Sequence, residues 1–271
     1  MKGQALALAV VLTLAAAAPA RAATPTITMS GAAISRSLVA DLAYYYSHAV
    51  RNPPRFSLVV SNTNAGIADV KRGIVEGAMV SRNLGATDPS GLVLAPIALS
   101  GVCLVTNREN PVPGMTRDQL QDIVAARVTS WSQVPGSTRT DAIVPVTLDP
   151  STGTRLVFDN VFVDISTPVA YLARTFDTSP QVRDFIEATP AAFGYVDLAS
   201  AGTLHTLAYQ GVACNRVTIR TAAYPAQRPL GVVTRGKPRG ALKRFLRWVA
   251  TSRKARSVIA TRYVPWSAPA R

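Results

Sequence analysis

The sequence predicts an α/β protein with two lobes, and three observations carry that expectation. Apolar β-branched runs alternate with stretches of helical spacing along most of the chain. Two short polar turns, Ser61-Asn62-Thr63-Asn64-Ala65-Gly66 and Asp149-Pro150-Ser151-Thr152-Gly153-Thr154-Arg155, each connect such a run to a helical pattern. The two turns lie far apart in sequence, so each can belong to its own lobe. A strand feeding a helix through Ser, Thr, Asn and Gly offers unpaired N–H groups, hydroxyls and the positive end of a helix dipole, a seat for an oxyanion. The same residues are ordinary helix caps, and capping alone accounts for either turn. The pair together suggests two lobes closing on one anion.

The first residues have the pattern of an export signal. Lys2 is the basic start, Ala5 to Ala18 is apolar, and Ala20-Arg21-Ala22 is a small-x-small cleavage site. The mature chain is expected to begin near Ala23, periplasmic or secreted. No Cys follows the expected cut, which argues against a lipid-anchored form, and no later run of about 20 apolar residues offers a membrane span.

Removing 22 of the 271 residues leaves 249, enough for two lobes of roughly 100 to 150 residues. The formal charge of +14 becomes +12 without Lys2 and Arg21. That balance favours anionic partners, with the densest basic stretch at Lys237 to Arg256; a solvated helix face is the plainest account of it. Nucleic acid is not expected, because the chain is exported and carries no aromatic-interleaved basic motif. Cys103 and Cys214 are the only cysteines. In an oxidising compartment they can pair; Cys103, inside the run Val102 to Val105, equally suits a buried free thiol.

In chain order, Pro25 to Met29 reads as a strand, and Ile34, Leu38, Leu42 and Tyr45 then have helical spacing. Phe56 to Val60 is a strand before the first turn. Ile67, Val70 and Ile74 mark a helix from Ala65, which Gly73 stops. Ala78 to Val80, Leu92 to Ile97 and Val102 to Thr106 are three further strands. Thr116 with Gln119 is a capping box. Ile143 to Leu148 is the strand before the second turn, with Leu156, Val157 and Val161 on the helix beyond it. Ser179 followed by Pro180 marks another helix start, with Val182, Phe185 and Ile186 inward. Phe193 to Val196 and Leu230 to Thr234 are the last strands. Ala241 through Ile259 is amphipathic: Leu242, Phe245, Leu246 and Val249 face inward, and Lys243, Arg244, Arg247 and Arg253 stay wet.

Catalysis is not expected. His48 and His205, the only histidines, lack metal-ligand spacing to another His, Cys or carboxylate. No Gly-x-Ser-x-Gly elbow or P-loop lysine is present, and the Ser-Thr-Gly-Thr hydroxyls have no base nearby, so they read as hydrogen-bond donors. No metal or cofactor is expected. Tyr44 to Tyr46 and Trp131 suit core or rim packing, or a stacking surface.

Several segments, taken in order, resemble one family. They are Ile27-Thr28-Met29-Ser30-Gly31-Ala32-Ala33; Ser61 to Ile67 with Gly73 to Arg82; Thr116 to Trp131; Leu148 to Phe158; and Ala191 to Val196 with Tyr224-Pro225-Ala226-Gln227-Arg228-Pro229-Leu230. Over nearly the whole mature chain the sequence resembles the periplasmic phosphate-binding (PstS-like) solute-binding proteins of phosphate ABC transporters. The resemblance implies a two-lobed type II solute-binding fold, α/β, with the ligand between lobes joined by two crossing strands. Residues 23–107 with 223–271 would form one lobe and 108–222 the other. Val102 to Thr106 would be the outgoing crossing, with Leu230 to Thr234 near the return. It also implies inorganic phosphate or a related oxyanion as ligand, an inner-membrane ABC permease as partner, and a monomer.

By the same resemblance, the first-loop ligands fall on Ala33 and Ile34, without the family's Thr hydroxyl unless Ser35 supplies one. The second-loop Ser falls on Thr63, with Asn64 beside it. The family's acidic or Ser-Arg turn falls on Ser81-Arg82, which suits any tetrahedral oxyanion, whereas a carboxylate there would accept a proton from hydrogen phosphate and reject sulfate. The last loop falls on Ser151, Thr152, Gly153, Thr154 and Arg155. The Arg that often precedes that loop is replaced by Leu148, with Arg82 and Arg155 as candidates to compensate. The alternative is a non-transport protein of the same fold that senses anions or binds anionic surface polymers.

Overall fold

The computed structural model describes residues 24–163 and 173–267; the expected export signal lies outside them. No helix among the described residues is long and apolar enough to cross a membrane. The first half runs β1 (Thr26–Ala32), α1 (Ala33–Ala49), β2 (Arg55–Ser61), α2 (Thr63–Arg72), β3 (Gly77–Val80) and β4 (Leu92–Thr106). Next come β5 (Gly114–Met115), α3 (Arg117–Val124), β6 (Val144–Leu148), α4 (Gly153–Phe162), β7 (Arg174–Phe176), α5 (Ser179–Glu187) and β8 (Ala192–Asp197). The chain ends with β9 (His205–Thr206), β10 (Ala208–Tyr209), α6 (Arg216–Arg220), β11 (Gln227–Arg235), α7 (Gly240–Thr251), α8 (Arg253–Arg262) and β12 (Val264–Pro265).

The main sheet has the order β2-β1-β3-β11-β4-β8-β6-β7. β1 lies parallel to β2 and β3, and β6 lies parallel to β7 and β8. These two parallel groups are the cores of the two lobes, and β4 joins them. Its residues Leu92 to Gly101 pair with β11, and Val102 to Thr106 pair with β8. Fifteen residues at about 3.3 Å each reach across both lobes.

Leu92 to Ile97 and Val102 to Thr106 are therefore one strand, not two. The sequence hides this because Pro96 lacks the N–H of a ladder residue. The structure absorbs it with a register shift at Leu230/Gly231, where Gly231 pairs with Pro96 and Leu230 with Ala98. Ile97 is left out of that ladder, and its carbonyl accepts from Trp266 N.

In the first lobe, alternation along the strands sends residues to opposite faces. Met79 and Val232 join Ile27, Leu38, Leu42, Tyr46, Phe245 and Ile259 under α1, α7 and α8. Ala78, Val80 and Val233 join Ile67 and Val70 under α2. The second lobe is built on Val102 to Val105, Leu120, Trp131, Leu148, Phe158, Phe162, Val182, Ile186 and Tyr195. Trp131 is a core residue here, its indole N–H donating to Ala191 O.

Several local expectations shift. α2 starts at Thr63, because Asn62 is its cap and accepts from Ala65 N. Gly73 ends it in the left-handed conformation, so Ile74 falls beyond the helix and is 61% exposed. α4 buries Phe158 and Phe162, while Leu156 points outward at 40% exposure. The cap of α5 is Thr178, which forms a capping box with Gln181, and Pro180 sits inside the first turn. The amphipathic stretch from Ala241 is two helices, because the Ser252 side chain caps α8 by accepting from Ala255 N. The capping box of Thr116 and Gln119 forms as expected. Cys103 and Cys214 form a disulfide, their Cα atoms 5.5 Å apart, which decides between the two readings left open for these residues.

Candidate functional site

The first lobe brings two of its helix starts to the end of β3. The Ser35 hydroxyl donates to Val80 O over 2.6 Å, which fixes the first turn of α1 beside the last residue of β3. No side chain caps α1, so its first-turn N–H groups keep their donor capacity. Gly66, in the first turn of α2, lies so close to β1 that a Cβ there would sit 2.7 Å from Ser30 O. That contact places Thr63 over the residue after β3: Thr63 Oγ1 accepts from Ser81 N at 3.2 Å and lies 3.3 Å from Ser81 Oγ. Thr63 and Ser81 are both buried.

The second lobe meets this cluster with the first turn of α4. A Cβ on Gly153 would stand 2.5 Å from Ser81 Oγ and 3.3 Å from Arg228 Nη1. Glycine at 153 thus lets the two lobes touch. Thr152 caps α4, accepting from Arg155 N and donating to Asp149 O, so its hydroxyl is taken up inside the turn. Ser151 donates from both its N–H and its hydroxyl to the Asp149 carboxylate. These two bonds hold the Asp149 carboxyl below the usual carboxylate range, the Ser151 hydroxyl contributing most.

Arg228 closes the arrangement from β11. It is 2% exposed, and its Nη2 donates to Thr154 Oγ1 over 2.7 Å. Its Nε and Nη1 are buried without a hydrogen-bond partner among the described residues, as is the hydroxyl of Ser100, the residue paired with Arg228 across β4 and β11. Burial pushes the guanidinium down to about 10, opposed by the charge of Asp197. Asp197 is no bonded counterion, since its carboxylate accepts from Ala199 N and Ser200 Oγ. Such a buried cation, unpaired but for one neutral hydroxyl, is costly unless an anion joins it.

Of the residues singled out from sequence, the structure brings together Thr63, Ser81, Gly153 and Thr154, with Ser35 and the α1 turn next to them. Ile34 packs against the first-lobe core, and Ala33 is exposed at the helix start. The two arginines that sequence offered for the missing charge are engaged elsewhere. Arg82 grips Asp88 at 2.6 and 2.8 Å and donates to Asn64 Oδ1. That contact lowers the Asp88 carboxyl and raises the Arg82 guanidinium. Arg155 is held inward by Asp159, Thr147 Oγ1 and Leu148 O. Leu148, at the place of the family's Arg, is a core residue. Arg228 was not among the residues singled out from sequence. Its signal was a single cation at the head of the apolar run Pro229-Leu230-Gly231-Val232-Val233.

A two-lobed α/β architecture with hydroxyls, helix starts and a buried cation at the junction is the organisation of a type II solute-binding protein. Residues 16–253 match the family model described as PBP superfamily domain, and the chain belongs to that family. The phosphate-binding protein PstS of Bacillus subtilis (strain 168) is 24% identical over 247 residues, 89% of this chain and 80% of that protein. The fold is shared with an ABC-type phosphate transport receptor from Vibrio cholerae, with TM-score 0.74, 24% identity, 88% of this chain and 99% of that one. It is also shared with PstS from Borrelia burgdorferi, with TM-score 0.67, 17% identity, 90% of this chain and 100% of that one.

Proposed function

We propose that the protein is an exported solute-binding protein that captures one tetrahedral oxyanion, phosphate first, between its lobes and delivers it to an inner-membrane ABC permease. The observation that carries this is Arg228, a buried guanidinium whose Nη2 donates to Thr154 Oγ1 and whose Nη1, with Ser81 Oγ, lies against Gly153 in the first turn of α4, while its Nε and Nη1 have no hydrogen-bond partner among the described residues. In this reading Arg228 supplies, from the return strand, the charge missing at Leu148. Charge-assisted hydrogen bonds of this kind are about twice as strong as neutral ones. The phosphate-binding and phosphate-transport names of the relatives support the choice of ligand and role.

The chemistry of the cluster is binding and not turnover. Its hydroxyls face one another and a cation, and the two histidines lie elsewhere, His48 against Tyr44 O and His205 against Val112 O. Calorimetry on anion-stripped protein tests the reading with phosphate, sulfate, phosphite and arsenate. One site of about micromolar affinity or better, roughly 8 kcal/mol, is expected for phosphate. Sulfate is expected to compete, since Ser81 stands where a carboxylate would reject it. Absence of heat with all four anions overturns the proposal.

A further inference from the structure

Residues 198–271 hold 14 of the chain's 29 Lys and Arg and none of its 15 Asp and Glu. The whole +14 formal charge is therefore the charge of this one segment, and the rest of the chain is balanced. The fold gathers part of this basic excess on one face. α7 and α8 bury Leu242, Phe245, Leu246, Val249, Ala255 and Ile259 against the first-lobe core. Their outward faces carry Lys243, Arg244, Arg247, Arg253, Lys254 and Arg256, all exposed. None of the six has an ion pair among the described residues; Asp41, on α1, is paired with Arg262 at the end of α8.

Aromatic rings border the same face. The Lys254 ammonium sits 4.3 Å from the centre of the Tyr45 ring, on the neighbouring α1. Tyr44 packs edge-on to Tyr45 and is 61% exposed. Six cations on paired amphipathic helices, edged by exposed tyrosine, match the chemistry of an anionic lipid surface, where Lys and Arg meet headgroups and Tyr rings settle at the interface. Arg228 is buried and takes no part in this face.

We infer that the outward face of α7 and α8, with Tyr44 and Tyr45, docks the protein reversibly on a membrane leaflet rich in anionic lipid. Docking would hold the receptor near the bilayer in which a permease sits, by a contact separate from the anion cleft. It goes beyond the binding reading above but rests on export of the chain, and it is tested independently of the cleft.

The test is co-sedimentation of the mature protein with phosphatidylcholine vesicles that contain or lack phosphatidylglycerol. Binding is expected only with phosphatidylglycerol and is expected to weaken steeply with salt, because exposed charges are screened. Each cation near an anionic leaflet adds roughly fivefold. Replacing all six by Gln is expected to lower partitioning at least about a hundredfold. Should that variant not fold, Lys243→Gln, Arg244→Gln and Arg247→Gln together are expected to lose on the order of a hundredfold. A control with Lys71, Arg108, Arg127 and Arg183 changed to Gln is expected to stay within about twofold of the parent, and phosphate calorimetry is expected to be unchanged in every variant. The inference is overturned if the parent ignores phosphatidylglycerol vesicles, or if the control loses as much as the α7 variant. It is equally overturned if soluble polyphosphate or heparin is retained while vesicles are not, which would make the face a polymer site.

Discussion

Arg228 Nη2 donates to Thr154 Oγ1 over 2.7 Å, a bond that ties strand β11 to the first turn of α4 in the opposite lobe. Nε and Nη1 of this buried guanidinium have no hydrogen-bond partner among the described residues. The bond is between a cation and a neutral hydroxyl, so it does not neutralise the charge. An isolated charge in that position opposes folding of the empty protein and favours whichever anion arrives.

That separation of effects makes Arg228→Met informative. Methionine fills much of the same volume without the charge. The melting temperature of the anion-free protein is expected to hold or rise. Anion affinity is expected to fall by about 1.5 to 3 kcal/mol or more, the worth of hydrogen bonds to a charged group. Calorimetry and thermal unfolding on one preparation check both. Retained affinity would remove Arg228 from the site.

Thr152 and Thr154 look equivalent in sequence and have different partners in the structure. The Thr152 hydroxyl is closed inside the turn at Arg155 N and Asp149 O. Thr152→Ala is therefore expected to cost about 1 kcal/mol of stability, as for a lost cap, with little change in affinity. The Thr154 hydroxyl accepts from Arg228 and keeps its own hydrogen to donate. Thr154→Val is expected to lose about 1.5 to 3 kcal/mol of anion binding and also to lower the melting temperature of the anion-free protein, because it takes the hydroxyl partner from the buried Arg228. Unchanged affinity in both variants, with stability alone reduced, would mean that the second turn is a helix cap and nothing more.

What could be read from the residues follows from the range of the forces involved. Caps and turns are local, so Thr116 with Gln119 and the glycine stop at Gly73 were visible directly. The partners of a long side chain are not local in general. Arg155 beside an anion-seating turn looked anion-facing, yet Asp159 one helical turn on claims it; that pairing, at i and i+4, was in the sequence to be seen. Arg82 is taken by Asp88 across a loop, which spacing alone does not reveal. Pro96 concealed the length of β4, because the bulge that accommodates it depends on the partner strand β11. Arg228 was hidden by the usual habit of arginine to sit at the surface; only the sheet order buries it.

Gly153→Ala probes closure. The added methyl would stand 2.5 Å from Ser81 Oγ, closer than packing tolerates, while each lobe keeps its own core. Thermal stability is expected to change little, since alanine suits a first helical turn. Affinity is expected to fall at least about tenfold, roughly 1.4 kcal/mol. Small-angle scattering is expected to show that the anion no longer compacts the protein as it does the parent. Normal compaction and affinity would show that the touch between Gly153 and Ser81 is incidental.

The pH dependence is a further consequence of burying Arg228. Desolvation lowers its pKa from the ordinary arginine range to about 10, so the folded protein binds this proton less tightly than the unfolded chain does. Below pH 10 the charged, desolvated group opposes folding. As pH rises from there toward the ordinary arginine range the unfolded chain alone still carries the proton, so this group's contribution to stability becomes more favourable. Anion binding has the opposite sign, because the anion needs the charge. Sulfate is the ligand of choice for the measurement, as its own charge stays fixed over this range. Its affinity is expected to be level from about pH 6 to 9 and to fall toward a tenfold loss per unit once pH passes the Arg228 pKa. Arg228→Met is expected to abolish that fall. A loss of sulfate affinity centred near neutral pH would instead assign the essential charge to a histidine or to the ligand-free surface, and would displace Arg228 from the centre of the site.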